Sequence, residues 1–162
     1  MPHLDAAYDL ARWLTRRGAD ADDIVQESFV RALRFFASFR GENPRSWLLA
    51  IVRDCYFQRL DQARPERSDV AFDEEIHTGS AASAIPDSAL RGEEQRQLLR
   101  GAIERLPLEF REIVVLREIQ DLSYREIAES VGIPIGTVMS RLARARGWLQ
   151  RTLNPTIGKD TE

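Results

Sequence analysis

The stretch Ser123-Tyr124-Arg125-Glu126-Ile127-Ala128-Glu129-Ser130-Val131-Gly132-Ile133-Pro134-Ile135-Gly136-Thr137-Val138-Met139-Ser140-Arg141-Leu142 decides the fold class. A serine followed three residues later by a glutamate is a capping box, in which each side chain satisfies the other residue's backbone N–H. Ile127, Ala128 and Val131 then recur at helical spacing, and Gly132 permits the left-handed conformation of a tight turn. After Gly132-Ile133-Pro134 a second helix is expected on Ile135, Val138, Leu142, Ala145 and Leu149. A short capped helix, a glycine turn and a basic helix form the pattern of a helix-turn-helix. Ile127, Val131, Val138 and Leu142 are predicted to pack the pair, leaving Gly136, Thr137, Met139, Ser140, Arg141, Arg144 and Arg146 outside. Hydroxyls can bond phosphate, and arginine can bond phosphate or guanine edges. On pattern alone, a helical hairpin with a solvated basic face fits as well.

Upstream, Asp87 or Ser88 is expected to cap a helix carrying Leu90, Leu98, Leu99, Ala102 and Ile103, and Pro107 to start another with Phe110, Ile113, Val114 and Leu116. Residues 64–87 are poor in large apolar residues and rich in small, polar and breaker types, so they are predicted to link two domains. The N-terminal flank also reads as helices. The first carries Leu4, Ala7, Tyr8, Ala11 and Leu14 and is expected to stop at Gly18. A second is expected from Asp20, with an apolar stripe of Val25, Phe29, Ala32, Leu33 and Phe36, and Asp23, Gln26, Glu27, Arg31 and Arg34 opposite. The breaker cluster Arg40-Gly41-Glu42-Asn43-Pro44-Arg45 precedes a third helix through Trp47, Leu48, Ile51, Cys55 and Leu60. No useful β-alternation occurs. The expected fold is all-α: a helical domain over 1–63, a flexible acidic linker over 64–87, a helix-turn-helix domain over 88–153 and a tail over 154–162.

Composition narrows the function classes. The 162 residues are 43% hydrophobic and 30% charged, ordinary for a globular chain. The longest apolar run, Trp47–Val52, is far too short to span a bilayer, and the N-terminus lacks the pattern of a secretory signal. One cysteine makes neither an internal disulfide nor a zinc knuckle, and a reducing cytoplasm is the expected setting. The net charge of −3 is unevenly spread: residues 1–63 are neutral, 64–87 carry −4 and 88–162 carry +1. Residues 134–151 hold Arg141, Arg144, Arg146 and Arg151 and no acid. Phosphate neutralisation drives DNA affinity, so one short basic helix predicts weak binding by the free chain.

Two runs carry a family resemblance. Residues 106–118 (LPLEFREIVVLRE), 122–128 (LSYREIA) and 132–146 (GIPIGTVMSRLARAR) closely resemble region 4 of bacterial sigma factors of the extracytoplasmic-function (ECF) group. Residues 20–33 (DADDIVQESFVRAL), with Phe39-Arg40 and the run 45–53 (RSWLLAIVR), resemble region 2 of the same group. The resemblance implies an alternative sigma factor that binds core RNA polymerase and directs it to promoter DNA, region 2 reading and melting the −10 element and region 4 reading the −35 element. It also implies control by an anti-sigma factor.

Carried over by position, Asp22, Asp23, Gln26 and Glu27 match the polymerase-binding helix. The loop from Arg40 to Arg45, with Asn43, matches the segment that captures a flipped −10 base, and Arg53 and Arg59 are candidate strand or phosphate contacts. Thr137, Met139, Ser140, Arg141 and Arg144 match the face toward the −35 duplex. Asp54 stands where relatives often have Asn, Gln58 where they have Asp, and Met139 where some are basic. The chain begins close to Leu4, where the family has further residues, so the first helix is expected to be short or its start to lie upstream. No catalytic residue, metal cluster, cofactor or small-molecule substrate is expected: His3 and His77 stand apart from any such cluster, and Cys55 has the spacing of a core residue. The rival reading is a dimeric helix-turn-helix regulator that binds a palindrome without polymerase.

Overall fold

The computed structural model describes residues 3–41, 43–63 and 92–154, and these are helical with no strand. The linker 64–87, the expected caps Asp87 and Ser88, and the tail beyond Asn154 lie outside the described residues. Three helices form the N-terminal unit: α1 (Leu4–Thr15), α2 (Gly18–Arg34) and α3 (Pro44–Ala63), with a 3-10 turn at Phe36–Ser38. The C-terminal unit comprises α4 (Glu93–Glu104), α5 (Leu108–Val114), a π turn (Val115–Ile119), α6 (Tyr124–Val131) and α7 (Ile135–Leu153).

Helix α1 buries Ala7, Leu10, Ala11, Trp13 and Leu14 against α2 and α3. It ends earlier than the expected stop at Gly18. Arg16 takes the left-handed conformation (φ 64°) and returns its N–H to the Arg12 carbonyl at 2.7 Å. Gly18 is the first residue of α2, and Arg17, not Asp20, is its N-cap. The turn rests instead on Thr15, whose Oγ1 donates to the Ala11 carbonyl and accepts the Arg17 N–H. Helix α2 buries Ala21, Ile24, Val25, Ser28 and Ala32, but Leu33 and Phe36, assigned to its apolar stripe, are 71% and 64% exposed. Leu33 lies one step around the helix from the buried Ala32, and Phe36 falls past the helix end, in the 3-10 turn. In α4, likewise, Ala102 and Ile103 are buried while Leu98 and Leu99 are exposed.

The two units pack on each other. Helix α1 contacts α5, and α3 contacts α6, so one apolar cluster runs from Leu10, Leu14, Leu49 and Val52 to Ile113, Leu116, Leu122 and Ile127. Polar groups stitch the seam. The buried Arg111 guanidinium donates to the carbonyls of Trp13 (2.8 Å), Leu14 (3.3 Å) and Leu106 (3.0 Å). It thereby caps the last turn of α1, where a cation suits the helix dipole. Nearby, Arg16 donates to the Glu104 carbonyl at 2.9 Å.

Candidate nucleic-acid interface

The helix-turn-helix forms as its residues dictate. Ser123 Oγ accepts the Glu126 N–H at 3.0 Å, and Glu126 Oε1 accepts the Ser123 N–H at 2.9 Å, closing the capping box. Gly132 sits at φ 82° and returns its N–H to the Ala128 carbonyl at 2.8 Å. Any side chain there would meet open space but adopt a strained backbone. Ile127, Val138 and Leu142 are buried between the helices, and Val131 packs against them.

This packing turns Gly136, Met139, Ser140 and Arg144 outward, with Thr137 and Arg141 half-buried beside them. Thr137, Ser140, Arg141 and Arg144 are spaced along one face, as a helix in a major groove needs. They are not equivalent. Arg141 lies 3.7 Å from Glu109 of α5, and Ser140 Oγ donates to the Thr137 carbonyl at 3.2 Å. Arg144 makes no ion pair among the described residues. Ile135 and Met139, both exposed, add apolar surface of the kind that meets a thymine methyl. Arg146 is turned to the flank, where it pairs with Glu118, and that bond holds its guanidinium pKa above the ordinary value.

The acidic face of α2 is exposed at Asp22, Asp23 and Gln26. Glu27 is half-buried and pairs with Arg31 at 2.8 Å, and Asp23 lies 3.6 Å from Arg59 of α3. Asp22, Gln26, Val30 and Leu33 follow helical spacing along one side, so the polar patch continues into an apolar one that includes exposed Phe35 and Phe36. Val30, Phe35 and the outward turn of Leu33 were not legible from periodicity, which cannot tell an apolar face meant for the core from one left for a partner.

The candidate −10 residues are divided. Arg40 is exposed on the loop, where Phe36 and Phe39 pack on Trp47 with ring centroids 6.3 and 4.9 Å away. Asn43 Oδ1 accepts the Arg45 N–H at 3.0 Å and so caps α3, while its Nδ2 donates to Glu126 Oε2 at 2.6 Å. Arg45 donates to the side chain and carbonyl of Gln120. Arg53 grips Glu112 of α5 with Nε at 2.6 Å and Nη2 at 3.2 Å, and its guanidinium lies 4.4 Å from the Phe57 ring centroid. A cleft of about 660 Å³ opens between the loop and α6, lined by Arg40, Asn43, Trp47, Arg125 and Glu126 among others. Burial raises the Glu112 carboxyl pKa, opposed by Arg53, whereas bonds from Asn43 and Ser123 hold the Glu126 carboxyl low.

With this geometry in view, known proteins supply the frame. The Sigma-70 region 2 family matches residues 1–66, and the Sigma-70, region 4 family matches residues 96–149. The ECF RNA polymerase sigma-E factor of Escherichia coli K12 is 39% identical over 145 residues, covering 85% of this chain and 76% of that protein. The chain belongs to the ECF group of RNA polymerase sigma factors. The Haemophilus influenzae sigma-E factor is 31% identical over 155 residues, covering 91% of this chain and 81% of its own. Among solved structures, the sigma factor RpoE bound to the anti-sigma factor NepR from Bartonella quintana superposes with TM-score 0.71 at 28% identity, covering 94% of this sigma factor and 92% of that one. CnrH in complex with the cytosolic domain of CnrY superposes with TM-score 0.64 at 26% identity, covering 96% and 84%. Within this sigma factor, the N-terminal unit is thus region 2 and the C-terminal unit region 4.

Proposed function

We propose that this sigma factor docks on core RNA polymerase through the exposed face of α2 and selects promoters with its two helical units. The observation that carries the reading is a pair of outward surfaces on one chain: the Asp22-Gln26-Val30-Leu33 face, and the α7 face with Thr137, Met139, Ser140, Arg141 and Arg144. Asp22, Asp23, Gln26 and Glu27 supply charge and amide groups for a basic partner surface. Arg40, Asn43, Arg45, Arg53 and Arg59 are the groups for the −10 strand. Such contacts, weak singly, become selective when one rigid partner presents both DNA elements together.

The chain acts in the cytoplasm beside polymerase and does no chemistry of its own. Two structural relatives were solved with an anti-sigma factor or a partner's cytosolic domain, which supports control of this chain by an anti-sigma factor. The test is reconstitution with purified core polymerase followed by run-off transcription across a candidate promoter. Start-site-specific transcripts that depend on the chain are expected. Tight binding to a palindrome, with no polymerase recruitment and no transcript, would overturn the reading in favour of a dimeric regulator.

A further inference from the structure

A second cleft, of about 250 Å³, lies between the end of α1 and the C-terminal half of α4. Arg12, Arg16 and Arg17 of region 2 line one side and Arg100 of region 4 the other, with Asp9 and Glu104 as the acids on its walls. It shares no residue with the groups proposed to meet DNA or polymerase. Among the described residues, none of the four guanidiniums pairs with a carboxylate. The cleft therefore holds a surplus of two positive charges in a chain whose net charge is −3. The charge is felt beneath it, where Arg16 adds to burial in lowering the pKa of Arg111.

The guanidiniums are held in place with donors to spare. Arg12 lies over the Tyr8 ring, 5.4 Å from its centroid, and Arg100 over the Trp13 ring at 5.1 Å. A guanidinium stacked on a ring face keeps its in-plane N–H groups free. Arg16 spends one nitrogen on the Glu104 carbonyl at 2.9 Å, which fixes its head and leaves the rest of its fork. The Arg17 side chain makes no hydrogen bond among the described residues. Gly18 completes the rim, and no side chain caps the helix it begins, so that helix end adds positive potential.

We propose that this cleft is a binding site for a diphosphate group, gripped by guanidiniums from both units. The space is smaller than the pockets that enclose drug-sized molecules, so it suits a compact anion. Several guanidiniums converging on one ligand call for more than one charged centre, and a diphosphate presents two, each with oxygens that match the arginine fork. Because the walls come from both regions, the ligand binds while the units are packed, and its binding free energy adds to the stability of that packing. Any partner that needs the units apart then competes with the ligand.

The experiment uses the full chain at fixed ionic strength, with isothermal titration calorimetry and urea unfolding. Inorganic pyrophosphate is the probe and sulfate the control. The wild type is expected to take up pyrophosphate at one saturable site, to unfold at higher urea in its presence, and to bind sulfate at least tenfold more weakly. Arg17→Gln with Arg100→Gln, both at exposed positions, is expected to weaken pyrophosphate binding at least tenfold, with the far-UV helical signal and the ligand-free urea midpoint near wild type. Arg17→Gln alone is expected to show a smaller loss, which guards against a packing defect at Trp13. Adenosine and guanosine 5′-diphosphates separate the two sources of the group. Tighter binding than pyrophosphate assigns the site to a nucleotide, and equal or weaker binding to the free anion. An equal response to sulfate, or a double variant with unchanged affinity, overturns the site. So does a wild type that ignores pyrophosphate but binds a single-stranded DNA pool more tightly than the double variant does, which would give these arginines to a nucleic-acid backbone.

Discussion

At the scale of single residues, the recognition face of α7 divides into tethered and free groups. Arg141 is drawn toward Glu109 while Arg144 is exposed and has no ion pair among the described residues, so Arg144 is expected to carry the larger share of any groove contact. Arg144→Ala is expected to lower run-off transcription from the native promoter about tenfold or more, and Ser140→Ala to lower it less, in line with one bidentate against one hydroxyl contact. Unchanged transcription in both would remove this face from the −35 assignment. The two seam glutamates make a second prediction, with opposite signs. The folded Glu126 carboxyl is depressed by Asn43 and Ser123, so its contribution holds above the unfolded pKa and is lost as pH falls through the lower folded value. Burial raises Glu112, so its contribution is greatest below the unfolded pKa and fades as pH rises through the higher folded value. Carboxyl titration by carbon NMR checks this: Glu126 should titrate below an unperturbed glutamate and Glu112 above it. The cap role of Ser123 was legible in the sequence because capping is local. The bond from Asn43 to Glu126 was not, since its partners lie 83 positions apart.

Among elements, α2 shows what periodicity can and cannot deliver. Ile24, Val25 and Ala32 are buried, yet Leu33 is open to solvent, because one apolar helix face holds room for both core and partner. Leu33→Glu is therefore expected to leave the melting temperature within a few degrees of wild type while weakening capture of core polymerase about tenfold in a pull-down titration. A large loss of stability with unchanged capture would return Leu33 to the core. The start of α2 was misplaced for a related reason. Asp20 has the chemistry of a cap and Gly18 that of a stop, but Arg16 takes the left-handed turn under the hold of Thr15 and of its own bond to Glu104. Tertiary contacts here outweigh intrinsic preference. The π turn at Val115–Ile119 left no local signature either; it brings Gln120 under Arg45. Helix-turn-helix boundaries, by contrast, were readable because Ser123, Gly132 and Pro134 each punctuate the chain locally.

For the whole molecule, the two-unit division was legible from the shift in composition around the linker, but the packing of one unit on the other was not. It rests in part on Arg111, an arginine between Glu109 and Glu112 in α5, whose burial shifts its pKa down and whose donors are spent on backbone carbonyls. Arg111→Ala leaves the carbonyls of Trp13 and Leu14 without that donor and is expected to cost about 3 kcal/mol in urea unfolding, with separation of the two units. A loss below about 0.5 kcal/mol, the ordinary scale of surface changes, would show that the contact is incidental.

The cap that Arg111 provides also sets an order of events during synthesis. The ribosome delivers α1 long before residue 111 exists, so the carbonyls of Trp13 and Leu14 face water while the first half of the chain is already emerging. A nascent region 2 therefore meets the cell with its first helix unsealed and with Asn43, Arg45 and Arg53 lacking their region 4 partners. The last half to leave the exit tunnel brings both the seal and those partners.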